Sequence, residues 1–344
     1  MIRELMTRTG LIAQLGKLWK PDVEELTRPV RKDVRALQRD IERLESALDR
    51  LAAQVKLTAV LNRTQHEAVA RLSDRLDAAR IGAHVRDAIA AAPLLDEPFE
   101  HLVVESLLPT DVYDLLIEAI PPEPFFDAHD PIKRNLRFPM DFGPALSASV
   151  WAFFDDVVTR QMIRPAVVAR FREPLQRHYD AIFGRPFRER AENMAQAVSG
   201  GRLMLRRAGY HLDPHRDPKH SLLTCLLYLA RPGDSDAHGT QLFSVENDSD
   251  ASYKQTFYPG QEGRRCELVK LVPFRANSML VFLNSRGAHG ATIPGDAPVS
   301  LERYSYQFYV APEKAQLTEL IRQLPEPLRR MWQSKGVRDG GGME

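Results

Sequence analysis

Residues 209–230 read GYHLDPHRDPKHSLLTCLLYLA. Two His-x-Asp pairs, His211/Asp213 and His215/Asp217, stand in a Pro-flanked polar turn, and an apolar, strand-like run follows at once. A His in such a turn is commonly a hydrogen-bonded surface residue, so neither pair alone defines a site. On an extended turn, though, residues i and i+2 point the same way and can share a ligand. Two imidazoles and one carboxylate on one face of a metal leave its other positions open. Non-haem Fe(II) uses that donor set to bind a co-substrate and O2. The third ligand must then come from a distant strand. His289, in SRGAHGATIP, follows the apolar run 278–283 and precedes Gly290, which permits close approach of another backbone; the alternative is a turn His capping a loop.

A second cluster of chemistry lies in the strands. Period two puts Leu222, Thr224, Leu226 and Tyr228 on one face of the first run. It puts Arg303, Ser305, Gln307 and Tyr309 on one face of the run RYSYQFYV at 303–310. An Arg inside a barrel needs an anion, because an unpaired buried charge is costly. A ligand carboxylate gripped by Arg303, with the Ser305 and Tyr228 hydroxyls helping, would supply it. A protein carboxylate, or exposure at a sheet edge, would satisfy Arg303 equally.

Runs at 202–208, 221–229, 240–245, 267–272, 278–283 and 303–310 have strand composition and are separated by Gly, Pro and Asp turns. Short strands with few intervening helices predict an antiparallel barrel or jelly roll. Upstream, 99–104 suggests a strand, a helix from Pro109 to Ile120 is capped by Thr110 or Asp111, and 146–182 predicts amphipathic helices, so the chain is α+β. After Pro312 a closing helix is broken at Pro325 and gives way to a flexible tail.

The N-terminal part is different. Val34, Leu37, Ile41, Leu44, Leu48, Leu51 and Val55 alternate spacings of three and four, a coiled-coil seam that continues through polar Thr58, Asn62 and Gln65 to Val69, Leu72 and Leu76. The polar stretch is expected to set register or oligomer state. No Pro or Gly falls between Val30 and Ile81, so one long helix and a homo-oligomer through residues 30–80 are expected; the alternative is a helical hairpin that folds back on the C-terminal domain. Ahead of it, Ile2, Leu5, Leu11, Ile12, Leu15, Leu18 and Trp19 form an apolar helix face suited to a partner, to the protein's own core or, less often, to a membrane surface.

The whole chain has 344 residues and a formal net charge of +1, so no overall field favours nucleic acid or an anionic membrane. Only Cys225 and Cys266 are present, without a CxxC spacing, which fits a reducing cytoplasm. No run is long enough to span a bilayer.

His215-x-Asp217, His289 and Arg303 together resemble the iron- and 2-oxoglutarate-dependent dioxygenases, above all their prolyl-hydroxylase-like branch. The run 223–229, LTCLLYL, is similar to the strand that follows the metal motif there, and Gly239-Thr240-Gln241-Leu242 to the Gly-rich start of the next. Arg303-Tyr304-Ser305 resembles the Arg-x-Ser that holds the far carboxylate of 2-oxoglutarate, and residues 99–125 the helical lead-in. Where some members place a Tyr ten residues before the first ligand, this chain has Leu205. The resemblance covers residues 95–312 and not the heptads.

It implies a double-stranded β-helix (jelly-roll) core with supporting helices, behind a long coiled-coil helix. The corresponding domains are 1–90, helical; 91–312, dioxygenase, with helical support to 200 and the jelly roll from 201; and 313–344, closing helix and tail. It implies His215, Asp217 and His289 as Fe(II) ligands, with 2-oxoglutarate chelating the metal and reaching Arg303, Ser305 and Tyr228. It also implies O2-dependent hydroxylation of a substrate C–H bond, with release of succinate and CO2. Two other functions remain open: a non-catalytic jelly-roll scaffold oligomerised through its coiled coil, and a Zn hydrolase with the same ligands, which leaves Arg303 without a role. The substrate is not legible. The polar segment 231–266 is expected to cover the pocket, and Arg264 and Arg265 either meet an anionic substrate group or solvate a loop.

Overall fold

The computed structural model describes residues 2–128, 130–140, 142–248 and 255–332, with the backbone alone for 2–27. The expected amphipathic face at residues 2–19 and the expected tail at 336–344 therefore lie outside the described side chains and residues. The chain divides into two units, Met1–Leu57 and Thr58–Glu344.

In the first unit a single helix, Ile2–Thr64, carries the heptads and runs on into the second. Val34, Leu37, Ile41, Leu44, Leu48, Leu51 and Val55 are all exposed. The helix does not continue unbroken to residue 81. It breaks at Gln65, again at Arg71 and after Leu76, and restarts as Ala78–Ala91, whose first turn Asp77 caps through the amides of Ala79 and Arg80. The physical reason is packing. From Thr58 on, the seam positions meet the body of the second unit. Thr58 and Leu72 are buried, and Ile81, Val85 and Ile89 are fully enclosed. The Asn62 Oδ1 accepts from the amide of Ala145, the first residue of helix Ala145–Phe153. That amide is one of the orphan donors of a helix start, and Pro144 before it offers no side-chain cap.

The remaining helices, Thr110–Glu118 and a series from Ala145 to Glu192, form a support layer. Pro109 occupies the N-cap position of the first, without a side-chain cap, and Asp111 instead binds Arg80 at 2.7 and 2.9 Å. Between Ala145–Phe153 and Arg164–Arg170 lies a π-helical stretch, Phe154–Ile163. After Pro312 come helices Lys314–Gln323 and Glu326–Arg330, divided at Pro325.

Eleven strands are described: β1 (Leu94–Leu95), β2 (His101–Val104), β3 (Lys133–Arg137), β4 (Gln196–Arg206), β5 (His211–His215), β6 (Leu223–Tyr228), β7 (Thr240–Val245), β8 (Cys266–Val272), β9 (Ser278–Leu283), β10 (Ala288–Thr292) and β11 (Arg303–Pro312). They form an antiparallel seven-stranded sheet, β1-β2-β9-β6-β11-β4-β3, and a four-stranded one, β5-β10-β7-β8. From β4 to β11 the chain passes back and forth between the two sheets, an arrangement compatible with a jelly-roll core.

The large sheet is buried on both faces, so β6 and β9 read as nearly continuous apolar runs. Leu223, Cys225, Leu227, Met279 and Val281 pack against the helices. Their alternates Leu226, Tyr228, Leu280 and Phe282 pack against Leu242, Val272 and Phe274 between the sheets. Gly239, at the entry to β7, sits where a Cβ would fall 1.7 Å from the carbonyl oxygen of Val272. Gly239→Ala must push β7 away from β8. We expect a loss of about 1–3 kcal/mol or more, seen as a lowered midpoint in urea unfolding, whereas Gly260→Ala, with open space around it, should leave the midpoint near wild type.

Two site-bearing strands, β5 and β10, are not foreseen by hydrophobic pattern. Both are short, and neither alternates apolar with polar. Residues 211–215 look like a turn because of Pro214, but β5 is the edge of the small sheet, where a missing N–H is tolerated.

Candidate metal centre

His289 of β10 lies directly opposite His215 of β5, and Asp217 follows two residues after His215. Ligand atoms of these three residues all lie within 4.8 Å of one another, and each residue is at most 7% exposed. His215 Nε2 is 3.8 Å from Asp217 Oδ1, and His289 Nε2 is 3.6 Å from Asp217 Oδ2. Gly290 makes the approach possible, since a Cβ there would fall 2.7 Å from the Leu212 carbonyl oxygen.

Neighbouring groups aim the three side chains. His215 Nδ1 stands 2.9 Å from the Asp213 carbonyl oxygen. A carbonyl only accepts, so Nδ1 carries the hydrogen and Nε2 presents its lone pair. Thr224 Oγ1 donates to Asp217 Oδ2 at 2.7 Å, and Asn284 Nδ2 donates to the same hydroxyl at 2.8 Å. Burial, and then His215, pushes the His289 imidazole well below its ordinary value, so this ring is neutral. The Arg216 guanidinium turns away from the centre. It binds the carbonyls of Ser285 and Gly287 and the carboxylate of Asp248, tying the end of β5 to the loop that delivers β10. His211 and Asp213 bond to each other on the exposed side and do not join the cluster.

The three residues open onto a cavity of ≈ 530 Å³ between the sheets. Arg303 lines it, 5% exposed, with its guanidinium 4.6 Å from the Phe274 ring and 5.6 Å from that of Tyr228. Its Nε donates to the His238 carbonyl, and no carboxylate among the described residues pairs with it. Tyr228 and Ser305 are cross-strand neighbours on this side of the sheet, but both are fully buried and neither lines the cavity. The Tyr228 hydroxyl donates to Thr240 Oγ1 at 2.7 Å, and Ser305 Oγ has no hydrogen-bond partner among the described residues.

Other lining groups were legible only as a strand face or not at all. Gln307 and Tyr309 share the period-two face of Arg303, and Tyr309 OH lies 3.5 Å from Asp217 Oδ1. Thr224, which supports Asp217 from behind the lining, carried the same strand-face signal. Tyr258, whose ring lies 5.6 Å from that of His215, carried none. Of the segment 231–266, residues 240–245 form β7 and only Thr240, Thr256 and Tyr258 reach the cavity; residues 249–254 lie outside the described ones. Arg264 packs over Phe257 and binds the Asn247 carbonyl, away from the cavity lining.

No protein-family model and no curated protein matches this chain. Solved structures similar to it include a prolyl-4-hydroxylase from Pseudomonas putida, at 15% identity over 68% of this chain and 100% of that one, with a TM-score of 0.34. Another is HygX from Streptomyces hygroscopicus with nickel, 2-oxoglutarate and hygromycin B bound, at 14% identity over 62% and 83%, TM-score 0.36. A third is an oxidoreductase of the 2OG-Fe(II) oxygenase family from Burkholderia pseudomallei, at 10% identity over 67% and 77%, TM-score 0.28. With TM-scores this low, the functional conclusion rests on the site itself. Among the described residues, no helix is long and apolar enough to cross a membrane.

Proposed function

We propose that the chain is an Fe(II)- and 2-oxoglutarate-dependent dioxygenase that hydroxylates a C–H bond of its substrate. The observation that carries this is the sharing of one cavity by two features. One is a buried His-Asp-His cluster, and the other is a buried arginine that no carboxylate among the described residues pairs with. The donor set fits a hard-to-borderline divalent metal with open positions, and the vacant partner of Arg303 fits the far carboxylate of a dicarboxylic co-substrate. When bound, Fe(II) with 2-oxoglutarate supplies O2 activation. The chain's residues bind and orient. His215, Asp217 and His289 hold the metal, Thr224 and the Asp213 carbonyl fix two of those ligands, and Arg303 sets the direction of the co-substrate. Phe274, Leu226 and Met204 keep water from the inner end. A Zn hydrolase on the same ligands would want a second carboxylate as base, and among the described residues the lining holds none besides Asp217.

The test is anaerobic addition of Fe(II) and 2-oxoglutarate to purified protein. A visible charge-transfer band should appear, and admission of O2 should release succinate. Arg303→Gln should weaken 2-oxoglutarate about tenfold or more in titrations of that band while metal content holds. If no band and no succinate appear in protein that has taken up iron, the assignment fails.

We also propose that a second copy of this chain covers the exposed seam from Val34 to Val55. Seven apolar residues alternating by three and four match the 3.5-residue period of a coiled coil.

A further inference from the structure

The cavity holds more positive charge than one co-substrate needs. Lys133 of β3, Arg206 of β4 and Arg303 of β11 are register partners in a row across three adjacent strands, and all three line the cavity. Arg202, four residues from Arg206 on the same face of β4, lines it too. Like charges directly opposite one another destabilise a sheet unless something neutral or negative intervenes. What intervenes here is neutral. Arg206 is 3% exposed and donates to the carbonyls of Arg134 and Leu205 and to Asn135 Oδ1, with the Tyr210 ring 5.0 Å away. Arg202 donates to Gln307 Oε1. None of Arg202, Arg206 and Arg303 has a carboxylate within ion-pairing distance among the described residues. Burial lowers the pKa of both Arg206 and Arg303, and a neighbouring arginine acts on each in the same direction. Among the described residues the only carboxylate in the lining is Asp217, already assigned to the metal.

We infer that the substrate carries an oxyanion, a phosphate, sulfate or carboxylate group, which docks on Arg202 and Arg206 with Lys133 at the outer end of the row. This rests on the dioxygenase reading for the assignment of Arg303 to 2-oxoglutarate. Counting formal charges, four lining cations and a divalent metal face one aspartate and a dianionic co-substrate, which leaves the loaded site strongly positive. A neutral or cationic substrate would leave the buried Arg206 and its half-buried neighbour Arg202 with neutral hydrogen-bond partners only; an oxyanion gives them a charged, bidentate one.

The test uses protein loaded anaerobically with Fe(II) and 2-oxoglutarate and titrated calorimetrically with inorganic phosphate, and with tetramethylammonium as the cationic control. Phosphate should bind saturably, more weakly as salt rises, without shifting the 2-oxoglutarate titration of the band. Arg206→Gln and Arg202→Gln should each weaken phosphate about tenfold while 2-oxoglutarate titrates as in wild type. Arg202 is partly exposed and bonded to Gln307 and Tyr309 at the cavity wall, so its variant keeps the test sound if Arg206→Gln misfolds. Absence of phosphate binding, unchanged binding in a folded variant, equal binding of tetramethylammonium, or competition with 2-oxoglutarate would each overturn the inference. Failure of the band to form counts against the dioxygenase instead; phosphate titration of metal-free protein still reports on the cationic row.

Discussion

Asp217→Ala is expected to abolish Fe(II) binding in purified protein and, with it, all succinate release. Asp217 is the only carboxylate in the cluster and lies 3.6 and 3.8 Å from the two imidazole nitrogens, so its loss leaves two neutral donors and no negative charge at the centre. The carboxylate is also what Thr224 is hydrogen-bonded to, and Thr224 is in turn bonded by Asn284. Thr224→Val removes only that orienting hydroxyl. It should cost roughly 10- to 100-fold in metal affinity or turnover, and the ligand variant should cost more. Metal content after anaerobic reconstitution, measured by mass spectrometry beside a thermal melt, separates the two effects. Full iron occupancy in folded Asp217→Ala protein would remove the metal centre from the molecule's account.

The second large effect belongs to the heptad helix. Leu44 and Leu48 are 70% and 67% exposed and occupy consecutive core positions of the seam. Placing Asp at both should convert a self-associating protein into a monomer. Each Leu stands to gain about 1.5–3 kcal/mol on full burial, and every copy carries both changes, so the association constant should fall at least about 1000-fold. The positions flanking the seam include Asp33, Asp40 and Glu45 but no cation, so no charge pairing substitutes for the lost apolar contact. Sedimentation velocity over a concentration series reads the outcome directly. A wild-type chain that sediments as a monomer throughout would defeat the proposal. The variant should retain the Fe(II)/2-oxoglutarate band, because Leu44 and Leu48 lie in the unit that holds none of the cluster.

The strand-forming runs were legible because their residues are constrained twice. β7 and β9 begin and end where composition placed them, and β6 and β11 within one or two residues. Burial on both sheet faces selects apolar side chains at nearly every position, which is a local signal. β5 and β10 escaped because their residues are chosen for what they hold, two imidazoles and a close backbone approach at Gly290, and not for hydrophobic alternation. The heptads marked a helix correctly and its end wrongly. A helix stops where tertiary contacts outweigh propensity, and Leu72 and Ile81 join a core cluster built from residues far away in sequence.

By itself the sequence determined the kinds of chemical group present and their local phase: a His two residues before an Asp, a lone His beside a Gly, and an Arg on one face of a strand. Only the tertiary structure decided that His289 pairs with His215 and not with His211, since Thr292 takes the His211 position in the register. It also decided that Tyr228 gives its hydroxyl to Thr240 and that Lys133, Arg206 and Arg303 stand in one row. Cross-strand register is the reason. A shift of one residue would turn every side chain to the opposite face, and that choice is made by contacts between strands the sequence does not place side by side.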